Sequence, residues 1–271
     1  MSAKQLLGRP CADAIYDIVR NGLVGRHAQL VTVGFDEDRW NQYTCSLSKS
    51  AVNLGFACEE VALDANISPT EFARQVKILC SRADVTGLIV QQPLPSNYAD
   101  VAYAIAVEKD VDCLNPMSIA RLYRGEDGFR PATALAVIRL LDYYGIQLAG
   151  KHVVVIGRGS VGKPLSLMLL ERNATVTICH SKTQTLADIC KSADVLISAC
   201  GVPGLVKENF VTDKSVVVDV GLSFLNGKTS GDVAAEVYDK CSAVSPVPGG
   251  IGPVTRAVLF ENVLTAISKV K

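Results

Sequence analysis

Gly157-Arg158-Gly159-Ser160-Val161-Gly162 spells G-x-G-x-x-G, and each glycine in that spacing has a physical use. Gly157 permits a tight turn, Gly159 lets the main chain approach a pyrophosphate, and Gly162 allows a helix to pack closely on a strand. The pyrophosphate would rest on the N-terminus of the following helix, where free N–H groups and the helix dipole favour an anion. The chain has 21 glycines, so the motif needs its context. Residues 153–156 are a short β-branched run that reads as a buried strand. Residues 164–170 form an apolar helical segment, and residues 175–179 a second strand. Strand, glycine turn, helix and strand together predict a dinucleotide-binding unit.

The end of the second strand bears on which dinucleotide is bound. An NAD site usually carries Asp or Glu there, about 20 residues beyond the glycines, to hold the ribose 2′-hydroxyl. Here the strand ends Cys179-His180-Ser181-Lys182-Thr183, with no carboxylate to repel a 2′-phosphate. Ser181 can donate a hydrogen bond, Lys182 brings positive charge, and Arg158 can reach the same place. NADP is favoured over NAD. The alternative leaves Lys182 and Arg158 as solvated surface charges.

Composition narrows the class. The 271 residues suffice for two domains, and 49% hydrophobic with 20% charged residues suits a soluble globular enzyme. Lys and Arg number 27, as do Asp and Glu, which argues against a nucleic-acid or anionic-membrane partner. No apolar run approaches the roughly 20 residues of a bilayer span, and the N-terminus shows no signal-peptide h-region. The nine cysteines form no C-x-x-C pair. They read as buried small hydrophobes in a reducing cytoplasm, without zinc or a disulfide framework. His27, His152 and His180 do not cluster, so no metal site is expected.

The elements that must position this chemistry follow from periodicity and caps. Residues 3–22 read as an amphipathic helix, 29–34 as a strand, 41–54 as a helix closed by Gly55, and 58–63 as a strand. Ser68-Pro69-Thr70-Glu71 opens a helix to about 81, with Ser68 as N-cap, Pro69 in the first turn and Glu71 completing a capping box. Residues 85–91 are a strand and 100–107 a short helix. This alternation predicts a small parallel α/β domain. A polar linker spans 109–131, and a helix spans 133–144. After the dinucleotide motif come a helix at 184–191, strands at 195–199 and 215–220, and a short strand at 241–245. Pro246 to Pro253 is too rich in glycine and proline for regular structure, and 254–270 is a final helix.

Five segments carry a family resemblance. They are Gln91-Gln92-Pro93-Leu94-Pro95, Lys109-Asp110-Val111-Asp112, Cys179-His180-Ser181-Lys182-Thr183, Val218-Asp219-Val220-Gly221, and Pro246-Val247-Pro248-Gly249-Gly250-Ile251-Gly252-Pro253-Val254-Thr255. Together they closely resemble the methylenetetrahydrofolate dehydrogenase/methenyltetrahydrofolate cyclohydrolase family, from about Leu7 to the C-terminus. The resemblance implies an α/β protein of two domains with a cleft between them. Residues 1–122 would form a small parallel α/β folate and catalytic domain, completed by a C-terminal helix at 253–271. Residues 123–252 would form a Rossmann domain binding NADP. It implies that Tyr43 stacks on the folate, that Gln91 bonds a catalytic lysine, and that Asp112 grips the pterin. Pro248, Gly249, Gly250 and Ile251 would line the substrate and nicotinamide pocket. Gly157, Arg158, Gly159, Ser160, Gly162, Ser181 and Leu222 would hold the cofactor. A cytoplasmic homodimer acting in one-carbon metabolism is implied in the same way.

The chain departs from the family pattern at one decisive place. The lysine expected four residues after Tyr43 is Leu47. Lys49 is two residues further, about 200° around a helix, on another face. Cys113, Ser118 and Ala120 replace the usual glycine, asparagine and glycine. Pro131-Ala132-Thr133-Ala134 replaces Pro-Cys-Thr-Pro, and the glycine turn is one residue shorter than usual. Hydride transfer from 5,10-methylenetetrahydrofolate requires two rings held in contact and no proton removal. Hydrolysis of the methenyl product requires proton transfers that leucine cannot perform. The expectation is selective loss, with the dehydrogenase retained and the cyclohydrolase weak or absent. Gln91, without a lysine, is left to bond the folate, a water or Gln92. Leu47 is open to readings as core or as a sign of a changed substrate. A dehydrogenase for another pterin or small substrate, and a non-catalytic folate- or dinucleotide-binding paralogue, stand as alternatives.

Overall fold

The computed structural model describes residues 2–225 and 228–269. In order, the chain forms β1 (Lys4–Gln5), α1 (Gly8–Leu23), β2 (Gln29–Phe35), α2 (Asp38–Leu54), β3 (Ala57–Leu63), α3 (Pro69–Ser81) and β4 (Gly87–Val90). It continues through α4 (Pro116–Tyr123), α5 (Ala132–Tyr143), β5 (His152–Ile156), α6 (Gly162–Glu171), β6 (Thr175–Cys179), α7 (Leu186–Lys191) and β7 (Val195–Ser198). The last elements are β8 (Val216–Asp219), β9 (Ser223–Leu225), β10 (Lys228–Ser230), β11 (Ala243–Val244) and α8 (Ile251–Lys269). Val270, the expected end of the final helix, lies outside the described residues. Two compact units emerge: Ala14–Ala132 with Arg256–Lys271, and Met1–Asp13 with Thr133–Thr255.

The first unit is built on three parallel strands in the order β3-β2-β4. β2 lies in the middle, and Leu30, Val31 and Val33 are fully buried, as the apolar run Gln29–Phe35 requires. Phe35, Phe72 and Tyr98 meet edge to face with ring centroids 5.2–5.8 Å apart. Burying a ring such as Phe72 contributes about 1.5–3 kcal/mol. Ser68 caps α3 by accepting from the Glu71 N–H at 3.2 Å. The Glu71 carboxylate turns instead to Arg74 and Gln75. The edge strand β3 carries Glu59, bridged to Arg82 and Gln29; a charged edge resists pairing with another chain. Asn262 on α8 donates to the Val111 and Arg130 carbonyls at 2.8 and 3.1 Å, which fastens that helix to the loop after β4.

The second unit is a six-stranded sheet in the order β1-β11-β8-β7-β5-β6, parallel throughout. Val153, Val154 and Val155 of β5 are fully buried, consistent with a strand covered on both faces. Val154, Leu196, Val217 and Val244 share one core cluster with Cys179, Cys190 and Cys241.

Several local expectations are corrected. The first helix starts at Gly8, because residues 4–5 pair with β11 and Leu6 is fully buried. The supposed linker 109–131 contains α4, whose N-cap Asn115 accepts from the Met117 N–H, with Pro116 in the first turn. Residues 96–104 form a 3₁₀ helix in place of the expected 100–107 helix. The last helix begins at Ile251, so Gly252 and Pro253 lie in its first turn, where proline's missing N–H costs nothing. A hairpin of β9 and β10, not foreseen, follows β8.

Candidate functional site

Both sheets reverse their strand order at one place. β2 has β3 on one side and β4 on the other, and β5 has β6 on one side and β7 on the other. Such a reversal opens a crevice beyond the carboxyl ends of the strands, the usual ligand position in open α/β sheets.

In the six-stranded unit the crevice lies where β5 and β7 end. Gly157 has φ +117°, and a Cβ there would stand 2.4 Å from the Ala199 carbonyl oxygen. A Cβ at Gly162 would stand 2.0 Å from the Gly157 oxygen, whereas one at Gly159 would meet nothing within 4 Å. The first and third glycines are therefore demanded by packing, and the middle one leaves open space. α6 begins there with no side-chain cap on its N–H groups, which suits a pyrophosphate. Arg158 and Ser160 are exposed in the same turn. After β6, the Lys182 N–H donates to His180 Nδ1 at 3.1 Å and the Thr183 N–H to the His180 carbonyl at 2.8 Å. That tight turn leaves Ser181 and Lys182 exposed. These residues fit a dinucleotide bearing a 2′-phosphate.

Leu222, 64% exposed, follows β8, which ends at Asp219, one of a buried pair of carboxylates with Asp232. Asp219 accepts from the N–H groups of Gly221, Asp232 and Val233 at 2.9–3.0 Å. Asp232 accepts through Oδ2 from Ser198 Oγ and from the Cys200 and Gly201 N–H groups at 2.8–3.2 Å. Burial, with the Asp232 charge nearby, pushes the Asp219 carboxyl up to about 6. Asp219 stood within the strand–turn motif; Asp232 gave no sequence signal. Between them they hold the ends of β7 and β8 in place. Pro248 and Gly249 are exposed in this unit, while Gly250 and Ile251 are buried. The Gly249 carbonyl accepts from the Gly8 N–H at 2.8 Å.

In the three-stranded unit the crevice lies between Phe35, which ends β2, and Gln91, which follows β4. Gln91 is 5% exposed. Its Oε1 accepts from the Phe35 N–H at 2.6 Å and its Nε2 donates to Glu37. Its amide is thus engaged by groups that sequence reasoning did not name, rather than by Gln92. The Trp40 indole nitrogen and Gln91 Oε1 both press on Gly34, each 2.5 Å from where a Cβ would be. Trp40 stacks on Tyr43 with centroids 5.4 Å apart at 27°. Tyr43 keeps 38% of its surface exposed, and its phenol is pushed up to about 12 by burial and the Asp112 charge, with Arg256 opposing. Tyr43 and Asp112 are thereby brought together.

Asp112 also has a structural part. Its carboxyl accepts from the N–H of Ala132, the first residue of α5, yet burial and Asp110 push it up to about 7. The neighbouring Asp110, 1% exposed, receives Leu114 N–H, Asn115 N–H and Ser118 Oγ at 2.5–2.8 Å; it organises the loop. Cys113 stands at φ +58°, a left-handed conformation that suits glycine and costs another residue roughly 1–2 kcal/mol. Leu47 is fully buried. Lys49 is exposed.

Comparisons with known proteins agree with this geometry. A family model described as tetrahydrofolate dehydrogenase/cyclohydrolase, catalytic domain, matches residues 6–112, and its NAD(P)-binding counterpart matches residues 131–271. The bifunctional protein FolD of Thermus thermophilus is 39% identical over 98% of this chain and 96% of its own length. That of Nocardia farcinica is 42% identical over 93% and 90%. The crystal structure of a bifunctional FolD enzyme from Campylobacter jejuni superposes with a TM-score of 0.94 at 34% identity, covering 98% of this chain and 99% of that one. A Trypanosoma brucei FolD, crystallised with NADP and an inhibitor, reaches 0.92 at 33% identity over 99% and 98%. With both parts of its length matched and whole-length relatives near 40% identity, the chain belongs to the tetrahydrofolate dehydrogenase/cyclohydrolase family.

Proposed function

We propose that the chain oxidises 5,10-methylenetetrahydrofolate to 5,10-methenyltetrahydrofolate with NADP, and that its methenyltetrahydrofolate cyclohydrolase activity is weak or lost. The observation that carries this reading is Leu47, fully buried at the position where the resemblance implies a lysine. NADP, when bound, supplies the hydride acceptor. Gly157 and Gly162 shape the turn and Gly159 leaves open space for its pyrophosphate at the start of α6, which has no side-chain cap, while Arg158, Ser160, Ser181 and Lys182 are exposed and can meet phosphate and ribose; Leu222, exposed after β8, would meet the cofactor as well. Tyr43 offers a ring face to the folate, backed by Trp40, and Asp112 a carboxyl to its pterin. Positioning of this kind serves hydride transfer, which removes no proton. Hydrolysis needs a group that moves a proton, a contribution of roughly 10²–10⁴-fold, and Leu47 cannot supply it.

The test mixes purified protein with 5,10-methylenetetrahydrofolate and NADP and follows nicotinamide reduction and the methenyl chromophore together. Reduction with methenyl accumulating is the expected result. Conversion to 10-formyltetrahydrofolate above the spontaneous rate overturns the selective loss, and no reduction overturns the dehydrogenase. Leu47→Lys should raise hydrolysis more than hydride transfer.

A homodimeric, cytoplasmic enzyme completes the proposal. Ile178 on the edge strand β6 and Leu170 on α6 are 43% and 55% exposed, an apolar surface suited to a second copy, and sedimentation would measure the pairing. Among the described residues, no helix is long and apolar enough to cross a membrane.

A further inference from the structure

The loop entering α2 reads Asp36-Glu37-Asp38, and its three carboxylates are not equivalent. Asp36 accepts from Asn41 Nδ2 at 2.8 Å within the loop. Asp38 opens the first turn of α2. Glu37 is exposed, and its carboxylate is held by Gln91 Nε2. Gln91 is itself immobilised, being 5% exposed with its oxygen on the Phe35 N–H. A solvent-accessible carboxylate is therefore clamped by a buried amide at the strand ends where β2 and β4 part. The buried Trp40, whose indole nitrogen crowds Gly34 as Gln91 does, stacks on the part-exposed Tyr43.

The proposed reaction places charge in such a crevice. The bridging carbon of the folate loses a hydride, so both electrons of the C–H bond pass to the nicotinamide ring of oxidised NADP. The carbon is left in a cation spread over its two flanking nitrogens. A preorganised anion binds that developing charge more strongly in the transition state than in the uncharged ground state. Asp112 serves this purpose less well, since burial favours its neutral form. Leu47, on the same helix as Tyr43, adds no opposing charge.

We infer that Glu37, clamped by Gln91 at the β2–β4 crevice, is the anion that stabilises the methenyl cation as it forms and retains it afterwards. The inference rests on the proposed dehydrogenase function. Trp40 is the one tryptophan of the chain, and its stacking on Tyr43 makes it a reporter of folate binding. The experiment titrates the full chain with 5,10-methenyltetrahydrofolate, a cation, and with tetrahydrofolate, uncharged at that centre, reading Trp40 fluorescence. Glu37→Gln keeps an acceptor for Gln91 and removes the charge. It should weaken methenyl binding by about tenfold and tetrahydrofolate binding by less than about twofold. Its kcat for hydride transfer should fall by about tenfold, with KM for the methylene substrate little changed. Glu37→Asp keeps the charge and should keep most of the preference for the cation. Equal weakening of both ligands, or no change in either, overturns the inference while leaving the dehydrogenase standing. A wild-type chain that binds neither folate overturns the proposed function, and the inference falls with it.

Discussion

The two crevices share a topology and differ in material. The one at β5 and β7 is made of main chain: a glycine at φ +117°, a second that no Cβ could join, and the start of α6 with no side-chain cap. The one at β2 and β4 is made of side chains: Gln91, Glu37, Trp40 and Tyr43 interlocked across more than fifty residues of sequence. Main-chain geometry admits few substitutions, so that site is conservative in shape and in ligand class. A site assembled from side chains can exchange one residue and keep its outline; the proposed selective loss makes Leu47 such an exchange. On the proposed function, one fold holds a rigid cofactor cradle and a chemically adjustable substrate site.

That contrast can be broken by substitution. Gly162→Val should have the largest effect, because its Cβ would stand 2.0 Å from a backbone oxygen. Urea unfolding should show a loss of roughly 3 kcal/mol or more, with dinucleotide binding abolished; unchanged stability would remove the main-chain argument. Leu47→Ala should cost about 2–5 kcal/mol as a cavity in a packed core, with no hydrolysis gained. A smaller loss would mean that position 47 faces the site rather than the core.

Asp112→Asn tests the charge of the side-chain site through pH. Burial raises this carboxyl to about 7 in the folded protein, against about 4 when unfolded. The native state then holds the extra proton between those values, so the stability Asp112 contributes is present at low pH and fades as pH rises to about 7. The asparagine variant should gain on the wild type across that interval and level off above it, in thermal melts over a pH series. A flat difference would refute the raised carboxyl. The smallest effect on stability belongs to Gly159→Ala, within about 0.5 kcal/mol, since nothing stands within 4 Å. Calorimetric titration should still show NADP bound about tenfold more weakly, because the methyl would occupy the space reserved for phosphate. Normal binding would mean the cradle lies elsewhere.

Legibility in the sequence followed the same divide. The strands at 153–156 and 175–179, the glycine turn between them and the Ser68 cap depend on neighbours in the chain, and the structure has them where periodicity and capping predict. The family was legible from contiguous motifs for that reason. α4 escaped because Asn115-Pro116 reads as a turn until its cap is seen to start a helix. β1 escaped because two residues carry no period. The engagement of Gln91 by Glu37 and Phe35, the support of Asp232 behind β7, and the closeness of Arg256 to Tyr43 depend on tertiary approach; spacing along the chain could not show them.

The pairing of Lys4 with Ala243 and of Gln5 with Val244 also sets a timetable. On the ribosome, the first strand emerges long before its partner exists, and Asn262, which fastens α8 to Val111, arrives later still. Domains generally fold as units from the N-terminal end during synthesis, but neither unit here can close until β11 and α8 have been made. Until then the nascent chain must carry an unsatisfied sheet edge and an uncovered core. Mature stability and the demand for protection during synthesis therefore arise from the same long-range closures.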